Sequence, residues 1–177
     1  MIYLTRILSP FGPLMAAASD TGICLLEFGD RRMLETQFER LKKYFQAEIT
    51  PGEHPYLETL NRQLEEYFLG QRQKFNVPLD FRGTVFQEMV WKALLTIPYG
   101  KTISYKQLAE KIGKPAAVRA VANANGDNRI AILIPCHRVI GSDGTLTGYG
   151  GGLWRKQFLL ELEGAIPKQF VQPSLLS

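Results

Sequence analysis

The octapeptide Leu133-Ile134-Pro135-Cys136-His137-Arg138-Val139-Ile140 constrains this chain more than any other segment. It sets a cysteine beside a histidine inside an apolar run, where polar residues are hard to justify by packing alone. A thiolate is the nucleophilic form of cysteine, and it needs a nearby base or positive charge to form at neutral pH. An apolar wall would keep competing water away. The pair also has a plainer reading as a buried structural cysteine next to an incidental histidine. Neighbouring side chains on a strand point to opposite faces, so adjacency by itself does not make a catalytic pair.

With 177 residues, the chain can hold one large domain or two small ones. Hydrophobic residues at 45% and charged residues at 21% fit an ordinary globular protein. No run of apolar residues is long enough to span a membrane, and the start Met1 to Ile7 is too short and interrupted for a signal peptide. Charge is unevenly placed. Residues 1–81 carry nine Lys/Arg against eleven Asp/Glu, whereas residues 82–168 carry twelve against six. A basic half beside an acidic half fits a nucleic-acid-binding module joined to a partner domain, and fits a randomly uneven solvated surface equally well. The two cysteines, Cys24 and Cys136, suggest no disulfide framework, and a free thiol points to a reducing, cytoplasmic compartment. Cys24 and His54 are the only soft ligands of the first half, too few for a tetrahedral site, so no metal is expected.

The first half opens with apolar runs at Ile2–Leu8, Leu14–Ala18 and Ile23–Phe28, punctuated by Pro10, Gly12, Pro13 and Asp20-Thr21-Gly22. This predicts a small antiparallel meander. Helical stretches follow near 33–45 and 56–69, with Gly70 as the stop of the second. Strands followed by helices indicate an α+β domain, and residues 71–82 read as a connector. In the second half, Thr84 and Gln87 have capping-box spacing. Phe86, Met89, Val90, Ala93, Leu94 and Ile97 then trace one apolar helix face that ends at Pro98-Tyr99-Gly100. A second box at Ser104 and Gln107 leads a short helix to Ile112, and Pro115 is placed at the first position of the next. Two short helices joined by a glycine-containing turn read as a helix-turn-helix, or as an αα-hairpin of an enzyme. On the second helix Ala116, Arg119, Ala120 and Asn123 share the outward face, and Lys101, Lys106, Lys111 and Lys114 add phosphate attraction.

Pro135-Cys136-His137-Arg138-Val139-Ile140 resembles the active-site signature of the O6-alkylguanine-DNA alkyltransferases. The resemblance runs upstream through Arg119-Ala120-Val121 and Asn128 and downstream through Gly148-Tyr149-Gly150-Gly151-Gly152-Leu153, covering roughly residues 84–164 in detail. It implies an α+β protein with two domains. The N-terminal one, residues 1–81, would be ribonuclease-H-like and supporting. The C-terminal one, residues 82–177, would be mainly helical and winged-helix-like, and would hold the DNA-binding and catalytic groups.

The implied reaction moves an alkyl group irreversibly from O6 of guanine to Cys136, with O4 of thymine as a second substrate the resemblance allows. His137 matches the base that acts through a water, and Glu163 the carboxylate that orients it. Glu163 closes a helix read over 154–163 and stopped by Gly164, where a carboxylate opposes the macrodipole and calls for a partner. Asn128 matches the residue tying the recognition helix to the active-site segment, although Asn125 to Asn128 also reads as turn chemistry. Arg119 matches the finger that fills the gap when the lesion is flipped out in the minor groove, and Tyr105 the donor toward guanine N3. Tyr149, Gly150, Val139 and Pro135 match the substrate pocket, with the carbonyls of Cys136 and Val139 reading the exocyclic amine.

Double-stranded DNA carrying O6-alkylguanine is the implied partner, with a monomeric protein and no cofactor. Three positions depart from the family pattern. Ala122 replaces a glycine, Arg129 a proline, and Gly150 a serine, the last expected to open the pocket to larger alkyl groups. A lesion sensor that binds without repair is disfavoured by Cys136. A cysteine hydrolase or a DNA-binding regulator remains as an alternative.

Overall fold

In the computed structural model, which describes residues 1–169, the chain begins with strands β1 (Ile2–Ser9), β2 (Gly12–Ala18) and β3 (Ile23–Phe28). They pair antiparallel as the punctuation predicts, Ser9 opposite Gly12 at the first turn and Leu14 opposite Phe28 in the second ladder. Gly12 takes φ +105°, a conformation that side chains rarely tolerate. Every residue of β3 is buried, the mark of a strand covered on both faces. Helix α1 (Leu34–Phe45) and helix α2 (Pro55–Phe68) follow near their expected places. Between them a short strand, β4 (Ile49–Pro51), adds parallel to β1, giving the order β3-β2-β1-β4. The sequence reading missed β4 because three residues carry no period. His54 caps α2 by accepting from the Tyr56 amide at 3.2 Å, and Gly70 closes the helix at φ +75°.

Helix α3 (Val85–Leu94) and helix α4 (Tyr105–Lys111) each start at a complete capping box, Thr84 with Gln87 and Ser104 with Gln107. The apolar face of α3 reaches Ile97, but the regular helix stops at Leu94 and tightens into turns with Thr96 N–H to Ala93 O and Ile97 N–H to Leu94 O. Helix α5 (Val118–Gly126) starts later than the sequence predicts. Pro115 and Ala116 lie in a turn closed by Ala117 N–H to Lys114 O at 2.9 Å, so Pro115 is not the first helical residue. Strand β5 (Ile103–Ser104) pairs parallel with β6 (Val139–Ile140), and helix α6 (Leu153–Leu162) ends at Glu163 and Gly164. The last eight residues of the C-terminal domain as the sequence delimits it lie outside the described residues.

One apolar core runs through both halves. Phe28, Leu60 and Tyr67 of the first half pack in the same cluster as Trp91, Leu94, Val121, Ile134 and Leu159. The halves are also joined by backbone bonds. Leu26 N–H donates to Arg129 O at 2.9 Å, and Ala131 N–H to Leu26 O at 2.8 Å. The segment that leads to Cys136 is therefore anchored on a fully buried strand, which fixes its position more firmly than a surface loop could.

Candidate active site

Cys136 opens a single 3-10 turn, Cys136–Arg138, between the buried run 130–135 and β6. The β5–β6 ladder, with Ile103 opposite Val139, brings the N-terminus of α4 and its first residue Tyr105 beside this turn. Asn128, just beyond α5, is 1% exposed and spends its whole amide on the neighbourhood of the thiol. Its Nδ2 donates to Cys136 Sγ at 3.1 Å and to Ile134 O at 2.8 Å, while its Oδ1 accepts from Ile130 N–H at 3.0 Å. Helix α5 continues through Asn125 and Gly126, so the turn read at Asn125–Asn128 is the helix end itself.

His137 and Glu163 meet with no solvent exposure of either side chain, Nε2 to Oε2 at 2.9 Å. Glu163 also accepts from Tyr67 Oη at 2.6 Å, Arg138 Nε at 2.8 Å and Arg138 Nη2 at 3.0 Å. These donors offset the unfavourable helix end at which the carboxylate sits. Burial alone would raise the Glu163 carboxyl, but the hydrogen bonds and charges of His137 and Arg138 hold it far below the usual carboxylate range. Burial pushes His137 down, against the pull of Glu163, so the ring is neutral at pH 7. A carboxylate at Nε2 places the ring proton there and leaves Nδ1 as an acceptor without a protein partner among the described residues. Burial pushes the Cys136 thiol up, opposed first by the Asn128 hydrogen bond and then by the Lys156 charge.

Cys136 and Asn128 share a small cavity of about 10 Å³ with Tyr149, Gly150 and Gly151. Tyr105, Arg119, Asn123, Tyr149 and Gly150 line an adjoining groove of about 780 Å³. The two spaces have Gly126 and Gly148–Gly150 in common. Arg119, Ala120 and Asn123 are exposed on α5, and Tyr105 Oη donates to Thr147 O at 2.8 Å. Ala116, Lys101 and Lys106 are exposed but stand outside this groove, Ala116 ahead of the helix whose outward face it was assigned to. Pro135 lines a separate cavity of about 420 Å³ with Ile97, Tyr99 and Arg138, so the structure does not bring it to the thiol pocket. The Val139 carbonyl already accepts from Lys156 Nζ at 2.6 Å.

Seven contributors escaped the sequence reading. Lys156 is completely buried, donates to Val139 O and Thr147 O, and is lowered by burial to about 8. Tyr67 and Arg138 hold Glu163. Glu27, Phe28 and Arg31 of the first half line the Cys136 cavity. The last, Arg155, joins Asp30 to the carbonyls of Phe11 and Gly151. Only Arg138 left a signal, as a charge inside the apolar octapeptide. The expectation that Gly150 opens the pocket also changes. A Cβ there would lie 2.5 Å from Arg31 Cζ, so the space is occupied.

Among the described residues no helix is long and apolar enough to cross a membrane. Residues 85–165 match the 6-O-methylguanine DNA methyltransferase DNA-binding domain, and residues 2–81 match the ribonuclease-like domain of the same proteins. The methylated-DNA–protein-cysteine methyltransferase of Mycobacterium tuberculosis is 50% identical over 163 residues, 92% of this chain and 93% of that protein. Its namesake from Methanosarcina barkeri is 47% identical over 165 residues, 92% of this chain and 97% of that protein. The crystal structure of Mycobacterium tuberculosis OGT in complex with DNA matches with a TM-score of 0.79 at 46% identity, covering 92% of this chain and 93% of that one. The O6-methylguanine-DNA methyltransferase of Pyrococcus kodakaraensis matches at 0.59 and 26%, covering 93% and 99%. With both halves matched in order around the buried Cys136, this chain belongs to the methylated-DNA–protein-cysteine methyltransferase family.

Proposed function

We propose that this chain repairs alkylated DNA by taking the alkyl group from O6 of guanine onto Cys136 Sγ, once per molecule. The observation that carries this reading is the Asn128 Nδ2–Cys136 Sγ contact at 3.1 Å, inside the cavity that Tyr149 and Gly150 line. A buried thiol resists ionisation, so the thiolate must be made as it is used, stabilised by that donor and by the Lys156 charge. His137, neutral and with Nδ1 unpartnered among the described residues, takes the thiol proton through a water, and Glu163 stabilises the imidazolium that results. The S–C bond forms as the C–O6 bond breaks, its electron pair passing into the purine. Tyr105 turns its hydroxyl from Thr147 O toward guanine N3, so that the base leaves neutral. The purine gains the one proton that the thiol loses, and the reaction neither consumes nor releases a proton overall.

Residues 82–177 carry the chemistry and the DNA contacts in this reading, and residues 1–81 support them. The partner is duplex DNA approached from the minor groove, with Arg119 filling the gap of the flipped lesion, the small residues Ala116 and Ala120 allowing close approach, and Asn123, Lys101 and Lys106 at the backbone. Flipping costs a few kcal/mol, and a cavity of about 10 Å³ admits a purine only when the Gly148–Gly151 segment yields. Val139 and the backbone N–H of Gly150 complete the substrate site once it has done so. The protein works as a monomer in the cytoplasm, where a free thiol persists.

Duplex containing O6-methylguanine, mixed in several-fold excess over protein, tests this. Restored guanine is expected to stop at one per protein molecule. Continued turnover would refute single use, and hydrolysis of a small ester without any restored guanine would establish the cysteine hydrolase instead.

A further inference from the structure

Arg31 and Glu27 stand at the thiol cavity although they belong to the half of the chain that no step above uses. Glu27 is the penultimate residue of β3 and is 1% exposed; Arg31, four residues on, pairs with it and has a side chain only 7% exposed. Glu27 is itself held by the Phe28 amide at 3.1 Å and by Gln37 Nε2 at 3.5 Å. From that anchor the Arg31 guanidinium crosses to the other half. Nη2 donates to Gly126 O at 2.7 Å and Nη1 to Asn128 O at 3.4 Å, at the C-terminal end of α5 where a cation complements the helix dipole. Its third face lies against Gly150, where an added Cβ would come within 2.5–2.7 Å of Cζ, Nη2 and Nε. One buried side chain thus touches the backbone of Asn128, whose amide holds the thiol, and the loop that closes over it.

We infer that Arg31, fixed by Glu27, is a positioning residue for alkyl transfer, holding the α5 end and the Gly148–Gly151 loop in register with Cys136. The inference rests on the alkyl-transfer reading above. Two moving parts that must agree to within a fraction of an ångström are here referred to one rigid group on a fully buried strand. The Cys136 thiol also feels both charges, Glu27 raising it and Arg31 lowering it, so the pair is close enough to matter electrostatically.

The test compares wild type, R31M, R31K and the neutral double variant E27Q/R31M. Three quantities are measured for each: affinity for duplex DNA, single-turnover transfer from O6-methylguanine duplex at saturating protein, and thermal unfolding. R31M is expected to transfer at least about tenfold more slowly with DNA affinity within about twofold of wild type, and R31K to recover part of the rate. R31M leaves a buried carboxylate unpaired and will melt low. The double variant leaves no unpaired charge at this position, so it is expected to regain melting temperature while still transferring slowly. A double variant whose rate returns along with its stability, or an R31M that transfers at the wild-type rate, would overturn the inference. A wild type that transfers nothing would instead remove the reading beneath it.

Discussion

Replacing Asn128 with alanine separates the chemistry of this site from its architecture. The substitution strips the acceptor from Ile130 N–H and the donor from Ile134 O, two buried backbone groups held at 3.0 and 2.8 Å. At about 1–3 kcal/mol for each orphaned group, N128A should lose about 2–6 kcal/mol of stability, measurable by urea unfolding. It also removes the one side-chain donor to Cys136 Sγ found among the described residues. A hydrogen bond to a charged acceptor contributes about 1.5–3 kcal/mol, which at 1.36 kcal/mol per factor of ten makes the thiolate about 10–100-fold scarcer at neutral pH. The assay is alkylation of Cys136 by iodoacetamide across pH, followed by intact mass. Peptide mapping separates Cys136 from Cys24, whose thiol burial pushes up to about 12. N128D serves as the control that keeps the acceptor for Ile130 and removes the donor for sulfur. The curve for N128A should move to higher pH, and that for N128D at least as far. A destabilised N128A that reacts along the wild-type curve would refute the assignment and leave Asn128 a purely architectural residue.

Three further outcomes are expected. Glu163 stays ionised in the folded protein at a pH where the unfolded chain already takes up a proton, near about 4.3. Its contribution is therefore complete above that pH and is lost as pH falls further, at up to about 1.36 kcal/mol per pH unit. E163Q should flatten this slope in acid-unfolding titrations, and an unchanged slope would show that the carboxylate is not held as described. K156M leaves the buried Val139 carbonyl without its donor, while Thr147 O keeps the Tyr105 hydroxyl, so unfolding should be easier by about 1–3 kcal/mol and thiol alkylation should again shift to higher pH. R119A alters an exposed side chain, so stability should hold within about 0.5 kcal/mol. Transfer from duplex should slow while transfer from a single-stranded oligonucleotide, which needs no flipping, should not; equal losses on both would make Arg119 an ordinary phosphate contact.

Local chemistry was legible in the sequence wherever it is local in the fold. Both capping boxes form as spaced, the meander pairs as punctuated, and Gly70 and Gly164 end their helices with positive φ. Where a prediction depended on an exact first residue it fell short. Pro115 suits a first helical position, yet the chain spends Pro115 and Ala116 on a turn between α4 and α5, and tertiary packing of Val121 against the core overrides the preference. The nucleophile and its flanks were readable because they sit in one contiguous string. The groups around them are not contiguous: Tyr67 reaches Glu163 across 96 residues, and Arg31 reaches Asn128 across 97. Neither has a period or a motif, because what selects them is the juxtaposition of β3 and α2 with the C-terminal half. Pro135 shows the reverse. Its place in the string implied a pocket residue, and the 3-10 turn that follows it directs it to the wall of a different cavity.

The measurement that bears most directly on this account is the intact mass of the protein, and of C136A, after incubation with duplex containing O6-methylguanine. The wild type is expected to gain one methyl group per molecule, mapped by peptide digestion to Cys136, while the DNA regains guanine and C136A gains nothing. A methyl group on C136A, or restored guanine with the mass of the wild type unchanged, would contradict the claim that Cys136 is the acceptor.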